Sequence, residues 1–168
     1  MLSNFALSQI LIGIAICIDI LSFQFKERTK IVTCFVVSVI FISGHFMLLG
    51  HWTAAFLGIF SAIRYSASLL TTSKRLMWIF IFIIFVISAL SFEGLLSVLG
   101  CIATVFTTVA AFCKQDKLLR QLMLIGTMIW FIHNYLAGSP GAVLMEAIFI
   151  SSNIVGYLRH YSPKKPIK

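Results

Sequence analysis

From Phe5 to Tyr161 the chain alternates long apolar runs with short turns that carry Lys, Arg, Gly or Pro. Each run approaches the length of about 20 residues that a helix needs to cross the hydrocarbon core, where lipid offers no partner to an exposed amide and so enforces helix. The pattern predicts seven membrane-spanning helices at roughly 5–25, 31–50, 52–70, 76–92, 94–113, 121–138 and 140–161. The expected fold class is all-α, a polytopic membrane protein forming one integral membrane domain over residues 1–168. The first run has no Lys or Arg before it and no small-residue cleavage pattern after it, so it reads as a retained helix and not as a signal peptide.

Composition points the same way: 60% of residues are hydrophobic and 11% charged, against about 25% charged in soluble domains. A net charge of +8 would suggest nucleic acid in a soluble chain, but no basic run with interleaved aromatics exists here, so nucleic acid is excluded as a partner. The basic residues sort by turn. Lys26, Arg28 and Lys30 follow the first run, Lys74 and Arg75 the third, Lys114, Lys117 and Arg120 the fifth, and Arg159, Lys164, Lys165 and Lys168 close the chain in a short basic tail, 162–168. The connections Gly50-His51, Phe92-Glu93 and Gly138-Ser139 carry no Lys or Arg. Because Lys and Arg beside spans are retained in the cytoplasm, the expected topology is N-terminus out and C-terminus in. Trp52 and Trp78 fall at span ends, where an amphipathic ring favours the interface. Cys17, Cys34, Cys101 and Cys113 lie within or beside spans without CxxC spacing, and read as small packing residues with neither disulfide nor metal.

The second and sixth runs end alike, His45-Phe-Met-Leu-Leu-Gly50 and His133-Asn-Tyr-Leu-Ala-Gly138, both H-x-x-L-x-G and 88 residues apart. At the same offset Lys26 matches Lys114 and Ala54 matches Ala142. Register and turn polarity therefore suggest two three-helix repeats, about 5–70 and about 94–161, joined by a linker helix at about 76–92 that restores the orientation of the second. The linker, Leu76 to Phe92, is apolar all round with only Ser88 and Ser91 interrupting it, the pattern of a lipid-facing helix. Gly13, Gly58, Ser61, Ala62, Ala103, Thr104, Thr107 and Thr108 are small enough to bring backbones together and are expected on packed faces.

The stretches His45 to Gly50, Ser61-Ala-Ile-Arg64 and Trp130-Phe-Ile-His-Asn-Tyr-Leu-Ala-Gly-Ser-Pro-Gly141, followed by Glu146 and Asn153, resemble the YgjV-type family of small bacterial inner-membrane proteins over nearly the full chain. The resemblance implies a multi-pass protein of the bacterial inner membrane. The 3+1+3 plan is similar to that of SWEET and PQ-loop transporters, which implies movement of a small solute. The chain departs from them in having no Pro-Gln pair, since its prolines are Pro140, Pro163 and Pro166, and a proline-hinged rocking motion does not carry over.

Charges inside spans are costly and are found paired or lining cavities. Asp19, Arg64 and Glu146 are the candidates, with His45, His133, Asn134 and Asn153 as further buried polar or solute-path residues. At about 1.5 Å of rise per residue, Asp19 lies about 10 Å from Lys26 and Arg64 about 15 Å from Lys74, a similar depth that leaves an Asp19–Arg64 ion pair open. The alternative has Asp19 at a headgroup defect and Arg64 snorkelling inward. Glu146, His45 and His133 fall near the opposite ends of their spans, where they form either a polar cluster able to relay protons or bind a cation, or separate structural bonds to backbone carbonyls. Zinc needs three or four converging ligands, and only His51 adds to that set, so no metal is expected. No nucleophile elbow, His-Glu-x-x-His pair or phosphate-binding loop is present, and neither enzyme activity nor a cofactor is expected. Two readings stand: a transporter or facilitator of a small polar solute, or a non-transporting membrane module or partner subunit. The partners implied are the lipid bilayer, an unidentified small polar solute and, left open, a second copy of the chain in a homo-oligomer.

Overall fold

A computed structural model describes residues 3–161. The expected basic tail, with Pro163, Lys164, Lys165, Pro166 and Lys168, lies outside the described residues. Among these the chain forms seven α-helices and no strand: α1 Asn4–Gln24, α2 Arg28–Leu49, α3 Trp52–Leu70, α4 Lys74–Leu90, α5 Leu95–Ala111, α6 Asp116–Leu136 and α7 Pro140–Tyr161. Four of them, α1, α2, α3 and α7, are long and apolar enough to cross a membrane, and α5 is a shorter apolar helix.

Local chemistry sets the helix ends. Ser3 caps α1 by accepting from the Ala6 amide at 3.1 Å. α2 and α6 stop at glycines that adopt left-handed backbone, Gly50 at φ 79° and Gly138 at φ 65°, a conformation any side chain would strain. These are the two glycines of the H-x-x-L-x-G segments, and each reverses the chain within a few residues. Pro140 then occupies the first turn of α7, where its missing N–H has no intrahelical partner to lose. The main departure from the expected boundaries is α6, which begins at Asp116, so that Arg120 belongs to the helix and not to the preceding turn.

The helices pack as a closed ring in the order α1, α2, α3, α5, α6, α7 and back to α1, with α4 outside the ring against α3 and α5. The turns α1–α2, α3–α4 and α5–α6 gather at one end, here the basic end; α2–α3, α4–α5 and α6–α7 gather at the other, the histidine end. One apolar cluster, including Phe35, Tyr65, Phe80, Met123 and Phe149, fills the half toward the basic end, and another, including Ile12, Phe46, Ala54, Ala142 and Met145, fills the half toward the histidine end. Large apolar side chains such as Leu21, Ile63, Phe82, Ile132 and Leu158 point outward, as a lipid-facing surface requires.

Three expectations about packing need correction. α4 is not lipid-facing all round: Phe80 is 7% exposed and packs between Phe60 and Phe112 with tilted rings, centroids 5.3 and 5.8 Å apart, while Ile81, Ile84 and Ser88 are also buried. Its other face, with Trp78, Phe82 and Phe85, is exposed. Of the small residues, Ser61, Ala103, Thr104, Thr107 and Thr108 are buried, whereas a methyl group at Gly13 would meet nothing within 4 Å. Cys17 is exposed and fills no core position.

Candidate functional site

Between the two apolar clusters, on the axis of the ring, lies a cavity of about 90 Å³. Its polar wall consists of Asp19 from α1, Ser38 from α2, Ser61 from α3, Thr107 from α5, Thr127 from α6 and Glu146 from α7, one residue from every helix of the ring. Its apolar wall includes Phe35, Phe46, Tyr65, Trp130 and Phe149. Many lining positions are related by the offset of 88 residues that links the two glycine-ended segments: Asp19 with Thr107, Phe35 with Met123, Val39 with Thr127, Ile42 with Trp130, Gly58 with Glu146, and Ser61 with Phe149. Residue chemistry differs within these pairs, since Asp19 and Glu146 fall opposite Thr107 and Gly58 in the offset.

Arg64 is fully buried but forms no ion pair with Asp19, against the expectation from their depth. Its Nη2 donates to Ser61 Oγ at 2.9 Å and to Thr107 Oγ1 at 3.3 Å, and its guanidinium lies over the Tyr65 ring, 4.2 Å from the centroid. Depth along a helix was the shared property; rotation about the helix axis sends the two groups to different neighbours. Arg64 therefore stands behind the wall, its contacts Ser61, Tyr65 and Thr107 being the residues that line the cavity.

Glu146 ends a chain of neutral groups. Asn134 donates through Nδ2 to Glu146 Oε1 at 3.3 Å, which leaves Asn134 Oδ1 as the acceptor for His133 Nδ1–H at 3.0 Å. Trp130 packs edge-on against His133 at 4.7 Å and so links this chain to the cavity wall. His45 does not join the chain. Its Nδ1 donates to the Ser8 carbonyl at 3.0 Å, and its Nε2 accepts from Ser139 Oγ at 2.8 Å. Ser139 Oγ also accepts from the Ala142 amide at 3.4 Å, so the same hydroxyl caps α7 and ties it to α2. Of the expected cluster, His133 and Glu146 come together through Asn134, and His45 has a separate structural bond. Asn153 lies toward the basic end, donating to the Arg120 carbonyl at 2.9 Å, away from the cavity.

Two arginines expected to sit in solvated turns close the basic end instead. Arg28 donates to the carbonyls of Ser68, Ala111 and Cys113 at 2.8, 2.6 and 3.1 Å, and so caps α3 and α5. Arg120, fully buried, donates to Phe25 O at 3.1 Å, just past the end of α1. Helix ends leave carbonyls unpaired, and a guanidinium can satisfy several at once. Ser38 and Thr127 are also cavity residues, which the sequence pattern did not single out.

A protein-family model described as a bacterial inner membrane protein matches residues 6–164. The chain is 32% identical over 152 residues to the inner membrane protein YgjV of Escherichia coli (strain K12), an overlap covering 90% of this chain and 83% of that relative. No solved structure matches the chain. A multi-pass helical chain with this match belongs to the YgjV family of bacterial inner membrane proteins.

Proposed function

We propose that the chain is a transporter or facilitator that moves a small polar solute through the axis of its helix ring, without catalysing a reaction and without a cofactor. The carrying observation is the polar cavity to which all six ring helices contribute, with wall positions matched at the 88-residue offset. In this reading α1–α3 and α5–α7 are two repeats, α4 is their linker, and the basic end faces the cytoplasm with the N-terminus outside. The ring order supports the repeats: exchanging α1, α2 and α3 with α5, α6 and α7 turns each contact of the ring into another contact of the same ring. Solute sites at the interface of such repeats let one half rock against the other around a fixed site.

A second reading, a non-transporting partner subunit, draws on His45 and Asn153, whose bonds hold helix to helix and backbone without touching the cavity. The purified chain in lipid vesicles separates the two. Saturable exchange of a labelled polar solute, lost on replacing Thr127 with Phe to fill the cavity, is expected for a transporter; vesicles no leakier than protein-free ones toward a broad panel of solutes would overturn it.

A further inference from the structure

Neither Asp19 nor Glu146 has an ion-pair partner among the described residues, although they are 3% and 7% exposed and both line the cavity. A carboxyl taken out of water without a counter-charge either keeps a proton or receives a cation. Beside Asp19, the buried Ser38 hydroxyl lines the same cavity and is directed at the Asp19 carboxyl, a polar pair facing the same space. Arg64 is not itself a lining residue and its Nη2 is taken up by the wall hydroxyls of Ser61 and Thr107, so the ionisable groups that line the cavity are chiefly the two carboxyls. The charge of the site selects cations.

The remaining wall selects which cation. Among the described residues no three His, Cys, Asp or Glu side chains gather, so a divalent metal lacks its ligands. Aromatic rings dominate the apolar wall instead, and ring faces attract cations that carry apolar groups. The protein already uses one of those rings this way, since Tyr65 holds the Arg64 guanidinium on its face. A cavity of 90 Å³ is smaller than the apolar cavity of about 150 Å³ that accommodates benzene. The fit is to a handful of heavy atoms.

We propose that the central cavity is a binding site for a compact alkylammonium ion, held through charge by Asp19 and Glu146, through a hydrogen bond by Ser38, and through ring contacts by Phe46 and Trp130. The inference rests on the cavity being a solute site and names the solute class.

The test uses the full chain with Trp52 and Trp78, both exposed to the surroundings, replaced by Phe, so that Trp130 alone reports. Methylammonium, ethylammonium and tetramethylammonium chloride are titrated while Trp130 emission and thermal unfolding in detergent are read. Acetate and ethanol serve as size-matched controls, and sodium and potassium chloride as controls for ionic strength. Saturable emission changes and a rise in melting temperature of about 5 °C at about a hundredfold excess over Kd are expected for the ammonium ions alone. Asp19→Asn and Glu146→Gln should each weaken binding by about thirtyfold or more. Should those variants not fold, Ser38→Ala, which removes one hydroxyl from the wall and leaves both carboxyls in place, should fold and weaken binding by about threefold. No saturable response to any of the three, or an equal response to sodium chloride or acetate, overturns the assignment. Ammonium binding without exchange across vesicles keeps this site and removes the transport reading. Exchange of a neutral solute with no ammonium response does the reverse.

Discussion

At the basic end, guanidinium groups close the bundle by donating to helix-terminal carbonyls, whereas at the histidine end imidazole, hydroxyl and amide groups, with the one carboxyl of Glu93, hold the helices together. Arg28 reaches from α2 to the end of α5, and Arg120 reaches from α6 to the end of α1. The two arms are reciprocal, each crossing from one set of three helices to the other. At the histidine end His45 joins α1, α2 and the turn before α7, His51 reaches the Ala137 carbonyl at 3.2 Å, and Thr53 bonds Ser91 and Ser97 while its amide donates to Glu93. Hydrogen bonds to charged groups contribute about 1.5–3 kcal/mol and neutral ones about 0.5–1.5 kcal/mol. The basic end is therefore expected to be held more firmly than the histidine end.

The largest effect should come from Arg28→Met. It leaves carbonyls of α3 and α5 without a donor, and unfolding in detergent should show a loss of about 3–5 kcal/mol. Arg28→Lys should recover only part of this, because a single ammonium cannot fork to three carbonyls; full recovery would mean that charge alone matters at this end. Arg120→Met should cost about 2–4 kcal/mol by the same measurement. In a double-mutant cycle Arg28→Met and Arg120→Met should couple if the arms brace one closed mouth, and add simply if they cap helices independently. At the histidine end, His45→Ala should cost about 1–2 kcal/mol, most of it recovered in the background of Ser139→Ala, since the two share a bond. Thr53→Val, close in shape and lacking the hydroxyl, should cost about 1 kcal/mol. A loss at His45 as large as that at Arg28 would erase the difference between the ends. Finally, a reporter active only outside the cytoplasm should work when fused at Gly138 and fail when fused after Lys168, with no demand on stability; the reverse would exchange the compartments assigned to the two ends.

Much of this architecture was legible because lipid imposes a length on every apolar run, and the turns Gly50-His51 and Gly138-Ser139 announced themselves through glycine and proline. Packing within the membrane left weaker marks. Phe80 and Phe85 sit on one apolar helix, yet Phe80 packs against Phe60 and Phe112 while Phe85 faces outward. Protein core and acyl chains are equally apolar, so composition cannot separate those faces. Asp19 and Arg64 share a depth, but an ion pair depends on azimuth as well. Arg28 and Arg120 carried the charge signal of turns, and their fixed partners are backbone carbonyls, which no residue type betrays. His133, Asn134 and Glu146 were legible as polar positions in apolar surroundings, though not the order in which they bond.

The ring has two seams between its halves, and they differ in how they come about. α3 and α5 meet where the chain passes through α4, so that seam forms among neighbours in sequence. α1 and α7 meet with no covalent bridge, and there Gly141 lies so close to Gln9 and Ile12 that a side chain at this position would collide with both. Contacts between the two ends of a chain close last, after the longest loop has been ordered. α2 can cover the Asp19 side of α1 as soon as it is made, whereas the face of α1 that carries Gln9 and Ile12 meets its partner only once α7 has been added. Gly141 sets how closely the first and last helices can then approach.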